Sequence, residues 1–281
     1  MIELRAYLGL VKMRLTTTVV LSAVFGYFIG LESFDWSTFL SLVLGGFLVV
    51  SSSNTFNQIF EIKQDAQMKR TKKRPLVNKD LSTKQALLFG ALSGIIGILI
   101  LYIFVHPLSA YLGILSLISY AFMYTPLKGI SSFSVFVGAF PGAFPPLIGW
   151  VAATHHLGFQ GFLIFGIQFL WQFPHFWSIA WLLKDDYEKA NYKLLPSENL
   201  ASVSQLIYWY LIMLLMASVL PTFFLMAGKI YLIFAILMSF ALIYFAGRLG
   251  KNQDNKSAKQ LMIATILYNP LLYLFLIIDK I

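Results

Sequence analysis

Between residues 54 and 75 the chain reads NTFNQIFEIKQDAQMKRTKKRP, a run of amides, acids and bases set directly after an apolar stretch. At roughly 100° per helical residue, Asn57, Glu61 and Asp65 recur at i, i+4 and i+8 on one helix face, with Asn54 on the same side. Such a face is a ladder of oxygen donors. Oxygen-only donors suit a hard cation such as Mg²⁺, which keeps several waters and is commonly shared between one or two carboxylates and the phosphates of a substrate. Immediately downstream come Arg70, Lys72, Lys73 and Arg74, bases able to hold the non-bridging oxygens of a diphosphate. A second acid pair, Asp185 and Asp186, follows Lys184 near the end of another apolar stretch. Between the two clusters, Tyr124 and Lys128 stand four residues apart. Gln168, Gln172 and His175 form a polar stripe within an apolar segment, and Asp186 continues it three turns on if the helix runs past Pro174. Polar groups at membrane depth face a cavity or a neighbouring helix.

These residues need a scaffold, and the composition says which kind. The 281 residues are 58% hydrophobic and only 12% charged, too apolar for a water-soluble globule. Apolar segments lie near 15–31, 37–60, 84–105, 108–126, 132–153, 158–182, 203–226, 228–247 and 259–278. Each is near the roughly 20 residues that cross a bilayer as a helix, and none alternates with period two. The expectation is an all-α, polytopic membrane protein with nine transmembrane helices, forming a single domain over residues 1–281. The first segment follows Arg5, Lys12 and Arg14 as a signal peptide would, but it has no small-x-small cleavage site and is expected to remain as a helix. With the N-terminus cytoplasmic, nineteen of the twenty-one bases fall on the cytoplasmic side, leaving Lys229 and Lys280 outside. Topology thus accounts for most of the net charge of +9, and nucleic acid is not expected as a partner. His106, His155 and His156 are placed on the far surface. The absence of cysteine excludes disulfides, thiolate metal sites and Cys nucleophiles. Neither a Ser/His/Asp set nor a nucleotide-binding glycine loop appears.

The run N57-x-x-x-E61-x-x-x-D65 leading into M68-x-R70-T71-x-x-R74-P75-L76 resembles the first acidic signature of the intramembrane aromatic prenyltransferases, and within them the protoheme IX farnesyltransferases. VKMRLTTTVVLSAVFGY, YTPLKG, GAFPGAFPPLIGW and WQFPHFWSIAWLLKDDYEKANYKLLP agree in order, so that the resemblance covers about residues 8 to 196. The chain departs from the family pattern at three places. Glu61 stands where Asp is usual, Lys189 replaces the second acid of the second cluster, and Gly129-Ile130 replaces a more basic run.

The resemblance implies transfer of a farnesyl group from farnesyl diphosphate to the 2-vinyl group of protoheme IX, with Mg²⁺ as cofactor. It also implies that Asn57, Glu61, Asp65, Asp185 and Asp186 hold the metal. Arg70, Lys73, Arg74, Lys128 and Lys184 would then bind diphosphate, Tyr124 would face the developing allylic cation, and His175 would meet the haem. Further implications are a site in the inner (plasma) membrane whose mouth faces the cytoplasm, and a downstream haem-modifying oxygenase as partner. Within the same chemistry the acceptor could instead be a quinone or chlorin precursor. A transporter is the rival from another class, although it would place its acids at the midplane rather than at the rim.

Overall fold

The computed structural model describes residues 2–281, with side chains from Leu4 onward. A short helix α1 (Ile2–Val11) leads through Lys12 into α2 (Met13–Gly30), and α3 (Trp36–Phe60) returns to a one-turn α4 (Ile62–Asp65). After the basic loop come α5 (Thr83–Phe104) and α6 (Pro107–Ile118). A π-helical turn (Ser119–Tyr124) and a final turn α7 (Thr125–Leu127) extend α6. Then follow α8 (Phe133–Thr154), α9 (Gly158–Leu182), the short α10 (Lys184–Lys189), and α11 (Leu200–Phe223), α12 (Lys229–Asn252) and α13 (Asn255–Ile278). Among the described residues eight helical stretches are long and apolar enough to cross a bilayer. The ninth expected span, α9, is a 25-residue helix whose three glutamines and one histidine make it the more polar one. No strand is present among the described residues.

Outward faces are apolar throughout: Leu88, Leu92, Ile95 and Leu99 on α5, and Ile233, Leu237 and Phe240 on α12, are all exposed. Ridges of this kind belong against lipid tails. Inside, small residues let backbones approach. A Cβ on Gly26 of α2 would strike the Pro146 carbonyl of α8, and one on Gly149 of α8 would strike the Ala23 carbonyl, so only glycine permits this crossing. α8 also contains Pro141, Pro145 and Pro146. Each proline removes a donor four residues after a carbonyl, and Ser116 Oγ donates to the Pro141 carbonyl that Pro145 leaves free (3.3 Å).

The two ends of the bundle differ in which loops they gather. One end collects Lys12, the 61–82 loop, the Lys128 loop and the segment around α10. Arg70 N donates to Asp186 Oδ2 (3.4 Å) and Lys193 N to the Lys128 carbonyl (2.8 Å). At the other end Lys280 Nζ donates to the Leu31 carbonyl (2.6 Å), and the rings of His106 and His155 meet at 5.1 Å.

Candidate active site

α1 stops at Val11 because Lys12 adopts a left-handed conformation (φ 54°, ψ 58°). Carbonyls left open at such a helix end need other donors, and α3 supplies them. Gln58 Nε2 donates to the carbonyls of Gly9 (3.2 Å) and Leu10 (2.9 Å), and Asn54 Nδ2 to Val11 (3.1 Å) and to Thr16 Oγ1 (3.0 Å). Asn54 therefore leaves the oxygen ladder: although one helical face joins it to Asn57, its amide is spent on the α1–α2 turn. That turn directs the Lys12 side chain onto Asn57, whose Oδ1 accepts from Lys12 Nζ at 2.8 Å.

The ladder itself is not one continuous helix. α3 ends at Phe60, its cap Glu61 leaves helical geometry (φ −98°, ψ 11°), and α4 restarts at Ile62. Nonetheless Asn57, Glu61 and Asp65 all reach one cavity of about 630 Å³, within the range of small-molecule sites. Lys12, Arg14, Arg70, Arg74, Tyr120, Tyr124, Lys128, His175, Tyr187 and Tyr192 also line it. Every buried acid here meets a base. Lys128 Nζ donates to Glu61 Oε1 (2.7 Å), and Arg74 Nη1 lies 2.5 Å from Asp65 Oδ2 and 3.8 Å from Glu61 Oε2. Burial alone lifts the Glu61 carboxyl, but the adjacent Lys128 ammonium outweighs it and holds the group below its usual range. The pairing in turn raises Lys128 against the pull of burial. On Asp65 burial is the larger influence, and its carboxyl rises in spite of Arg74. Lys12, pressed by burial and by the nearby Arg74 guanidinium, is pushed well below the ordinary lysine range.

Two local features orient these groups. Around Ser119–Tyr124 the helix widens to a π-turn, a feature frequent at functional sites. It brings Tyr120 and Tyr124 onto the cavity together, with ring centroids 5.5 Å apart. Lys128 Nζ lies 4.5 Å from the Tyr124 ring centroid, so that this ring already receives a cation on its face. Secondly, Thr125 Oγ1 donates to the Tyr120 carbonyl (2.8 Å). A hydroxyl has one proton, so Thr125 accepts from Asn57 Nδ2 (3.2 Å), and the Asn57 oxygen is the atom turned to Lys12.

Of the site residues expected from sequence, Asn57, Glu61, Asp65, Arg70, Arg74, Tyr124, Lys128 and His175 share this cavity wall. Lys73 is exposed on the loop outside it. α9 ends at Leu182, and Leu183 (φ −109°, ψ 18°) redirects the chain, so the polar stripe does not run on to Asp186. Asp186 instead abuts the Arg70 backbone beside the mouth, and Asp185 is exposed. Lys184 pairs with Glu188 (3.7 Å) and lines the neighbouring cleft. Higher on α9 the stripe is largely consumed by packing. Gln172 Nε2 donates to the Ala139 carbonyl (2.7 Å), and Gln168 Oε1 accepts from Asn269 and Tyr273 of α13. Lys12, Tyr120, Tyr187 and Tyr192 join the site without having been singled out beforehand. Lys12 carried a signal in VKMRL, where it reads first as a topological base, and Tyr187 and Tyr192 lay within the WQFPHFWSIAWLLKDDYEKANYKLLP stretch, whereas nothing marked Tyr120 among the fourteen tyrosines.

A donor set of amide and carboxylate oxygens is what a hard divalent cation takes, and one atom points to such a guest. Asp65 Oδ1 is buried and has no hydrogen-bond partner within the protein. An orphaned buried carboxylate oxygen is costly, and this one belongs to a residue that lines the same cavity as Glu61 and Asn57.

Comparison with known proteins bears on the family and the fold. Residues 19–271 match the model of the UbiA prenyltransferase family. The chain is similar to the protoheme IX farnesyltransferase of Cytophaga hutchinsonii, 40% identical with 99% of both chains covered. Among solved structures it resembles a digeranylgeranylglyceryl phosphate synthase (TM-score 0.84, 19% identity, 99% of both chains). It also resembles a UbiA homolog from Archaeoglobus fulgidus bound to DMAPP and Mg²⁺ (TM-score 0.72, 14% identity, 97% of this chain and 99% of that one). With eight helical stretches among the described residues long and apolar enough to cross a bilayer, an oxygen ladder at one end and a family match over nearly its whole length, this chain belongs to the UbiA prenyltransferase family.

Proposed function

We propose that the protein transfers a farnesyl group from farnesyl diphosphate to the 2-vinyl group of protoheme IX, in the cavity at the ladder end. The observation that carries this reading is the joining, in one cavity, of an acid ladder, five bases, a tyrosine face already occupied by a cation, and a histidine. Similarity to a protoheme IX farnesyltransferase over full length supports the same acceptor.

In this reading Asn57, Glu61 and Asp65 hold Mg²⁺, with Asp65 Oδ1 the atom most in need of it, and Asp185 and Asp186 contribute from the loop across the mouth. Bound there, the metal supplies Lewis-acid withdrawal of charge from the leaving diphosphate. Arg74 and Lys128, which now neutralise the acids, and Lys12, now held by the Asn57 amide oxygen, become available to phosphate oxygens when a divalent cation takes their place. Arg70 lines the same wall, and Lys73 and Lys184 add charge near the entrance. Lys12 is the base that gains most, since a dianion would provide the counter-charge that burial and Arg74 deny it.

Ionisation breaks the allylic C–O bond, and its electron pair leaves with the diphosphate. Tyr124 offers its ring to the resulting cation. A C–C bond then forms between that carbon and the vinyl terminus, and water adds to the new cation with loss of a proton, leaving a hydroxyl. His175, which lines the same cavity, is the group positioned to meet the iron of the acceptor, as neutral imidazole commonly does. Preorganised charges in a water-poor cavity do most of this work. The excess of bases at the ladder end supports a mouth facing the cytoplasm, in a cell membrane, from which the product would pass to a haem-modifying oxygenase.

Purified protein in detergent, given Mg²⁺, farnesyl diphosphate and protoheme, is expected to yield a haem heavier by the farnesyl and hydroxyl additions, read by mass spectrometry. Absence of that product together with prenylation of a hydroxybenzoate or naphthoate acceptor would reassign the chain to quinone-type chemistry.

A further inference from the structure

Thr265 of α13 is buried, and two side chains of α9 converge on it. Trp171 Nε1 donates to the Thr265 carbonyl (2.7 Å), and His175 Nδ1 lies 3.0 Å from Thr265 Oγ1. Trp171 and His175 stack one turn apart, nearly parallel at 13° with ring centroids 4.7 Å apart. The Thr265 hydroxyl also donates to the Met262 carbonyl at 2.6 Å, the i−3 bond open to a helical threonine. Its single proton is thereby committed. Toward His175 the oxygen has only lone pairs to offer, so Nδ1 must carry the proton. A neutral imidazole protonated at Nδ1 leaves Nε2 as a lone pair. Nε2 makes no hydrogen bond among the described residues, and His175 lines the main cavity.

We propose that Thr265 is a positioning residue: it fixes His175 as the Nδ1–H tautomer and clamps its ring against Trp171, so that the Nε2 lone pair is kept for an electrophile in the cavity. The electrophile class follows from the function proposed above, on which this part rests: an iron porphyrin, taken through an axial position. Metal-bound histidines are ordinarily oriented by a hydrogen bond from the other ring nitrogen, and loss of that partner typically weakens metal binding by about 10–100-fold. Here the orienting acceptor is a hydroxyl whose own donor capacity is consumed by its helix, which excludes the reverse tautomer without a nearby charge. The two threonines of the site act alike, for Thr125 selects the oxygen of Asn57 by the same means.

The test has one arm that needs no haem. With four histidines in the chain, ¹⁵N spectra of labelled, ligand-free protein can be assigned by His175→Gln. Wild type is expected to show His175 protonated at Nδ1, Thr265→Val to lose that preference, and Thr265→Ser to restore it. A wild-type His175 protonated at Nε2, or a tautomer unaffected by Thr265→Val, would overturn the proposal whatever the acceptor is. The second arm titrates protoheme into the same proteins and follows the Soret band. His175→Gly should lose the ligated spectrum and regain it with added imidazole. Thr265→Val should bind about tenfold more weakly, with Thr265→Ser near wild type. A ligated spectrum that survives His175→Gly would remove the iron from the proposal, while formation of farnesylated haem by those same preparations would leave the proposed function standing.

Discussion

The two ends of this bundle handle charge in opposite ways. At the end away from the cavity, Asp35, Asp279 and Lys280 each serve a helix terminus. Asp35 accepts from the backbone of Ser37 and Thr38, Asp279 from the Tyr231 backbone, and Lys280 covers the Leu31 carbonyl. The interior there is closed by aromatic packing, with Tyr27 buried among Phe28, Phe34 and Phe39. At the ladder end the ions face one another inside the protein, Glu61 with Lys128 and Asp65 with Arg74, while Lys12 donates to the neutral Asn57 amide. Buried pairs of this kind contribute little net stability, because desolvation offsets the attraction. Their retention at one end only marks that end as functional, and the stability of the molecule resides elsewhere.

Breaking the ladder end should therefore be costly in a way that breaking the other end is not. The largest effect is expected from Lys128→Met, which strands the buried Glu61 carboxylate. Removing one partner of a buried pair costs on the order of 3 kcal/mol, and thermal unfolding in detergent should drop accordingly. Glu61→Gln in the same chain should recover part of the loss, whereas additive losses would mean that the pair is not coupled. The sign of its pH dependence follows from the depressed Glu61 carboxyl. Stability from this pair is present above the unfolded carboxylate range and is lost as pH falls through the folded value, and Lys128→Met should abolish that acid-side loss.

Asp65→Asn comes next. It preserves size and removes the charge beside the orphaned oxygen, and turnover should fall by well over tenfold, more than about 1.4 kcal/mol of transition-state stabilisation. Normal turnover in a correctly inserted variant would remove Asp65 from the metal site. Asp185→Ala separates the mouth from the cavity: a drop similar to that of Asp65→Asn would bring this exposed acid into the reaction, and an unchanged rate would confine metal binding to the ladder. Thr125→Val should act more gently. It frees the Asn57 amide to turn, and the Mg²⁺ concentration for half-maximal rate should rise about tenfold. At the opposite end Tyr27→Phe sharpens the contrast. Loss of its hydroxyl contacts with Asp35 should lower stability by about 1 kcal/mol and leave turnover unchanged.

Much of this was legible in the residue string, for identifiable physical reasons. Eight of the nine expected spans recur as helices long and apolar enough for a bilayer, and the ladder with its basic tail follows from helical periodicity. Single-residue departures were not legible. The break at Glu61, the left-handed Lys12 and the π-turn before Thr125 alter φ and ψ at isolated positions, which no hydropathy average registers. Asn54 and Gln168 show the converse: periodicity assigns them a face, yet only tertiary contacts decide whether that face meets a cavity or a neighbouring helix. Thr265 lies 90 residues from His175, a distance at which local pattern carries no signal.

That the ladder end recruits a divalent cation to engage diphosphate is tested most directly by calorimetric titration of farnesyl diphosphate into ligand-free protein, with and without Mg²⁺, in wild type and in Asp65→Asn. Wild type should bind tightly only with Mg²⁺, and Asp65→Asn should lose that dependence while keeping the weak metal-free binding due to Arg70, Arg74 and Lys128. Equal affinity with and without Mg²⁺ in wild type, or an Mg²⁺ dependence that survives Asp65→Asn intact, would contradict it.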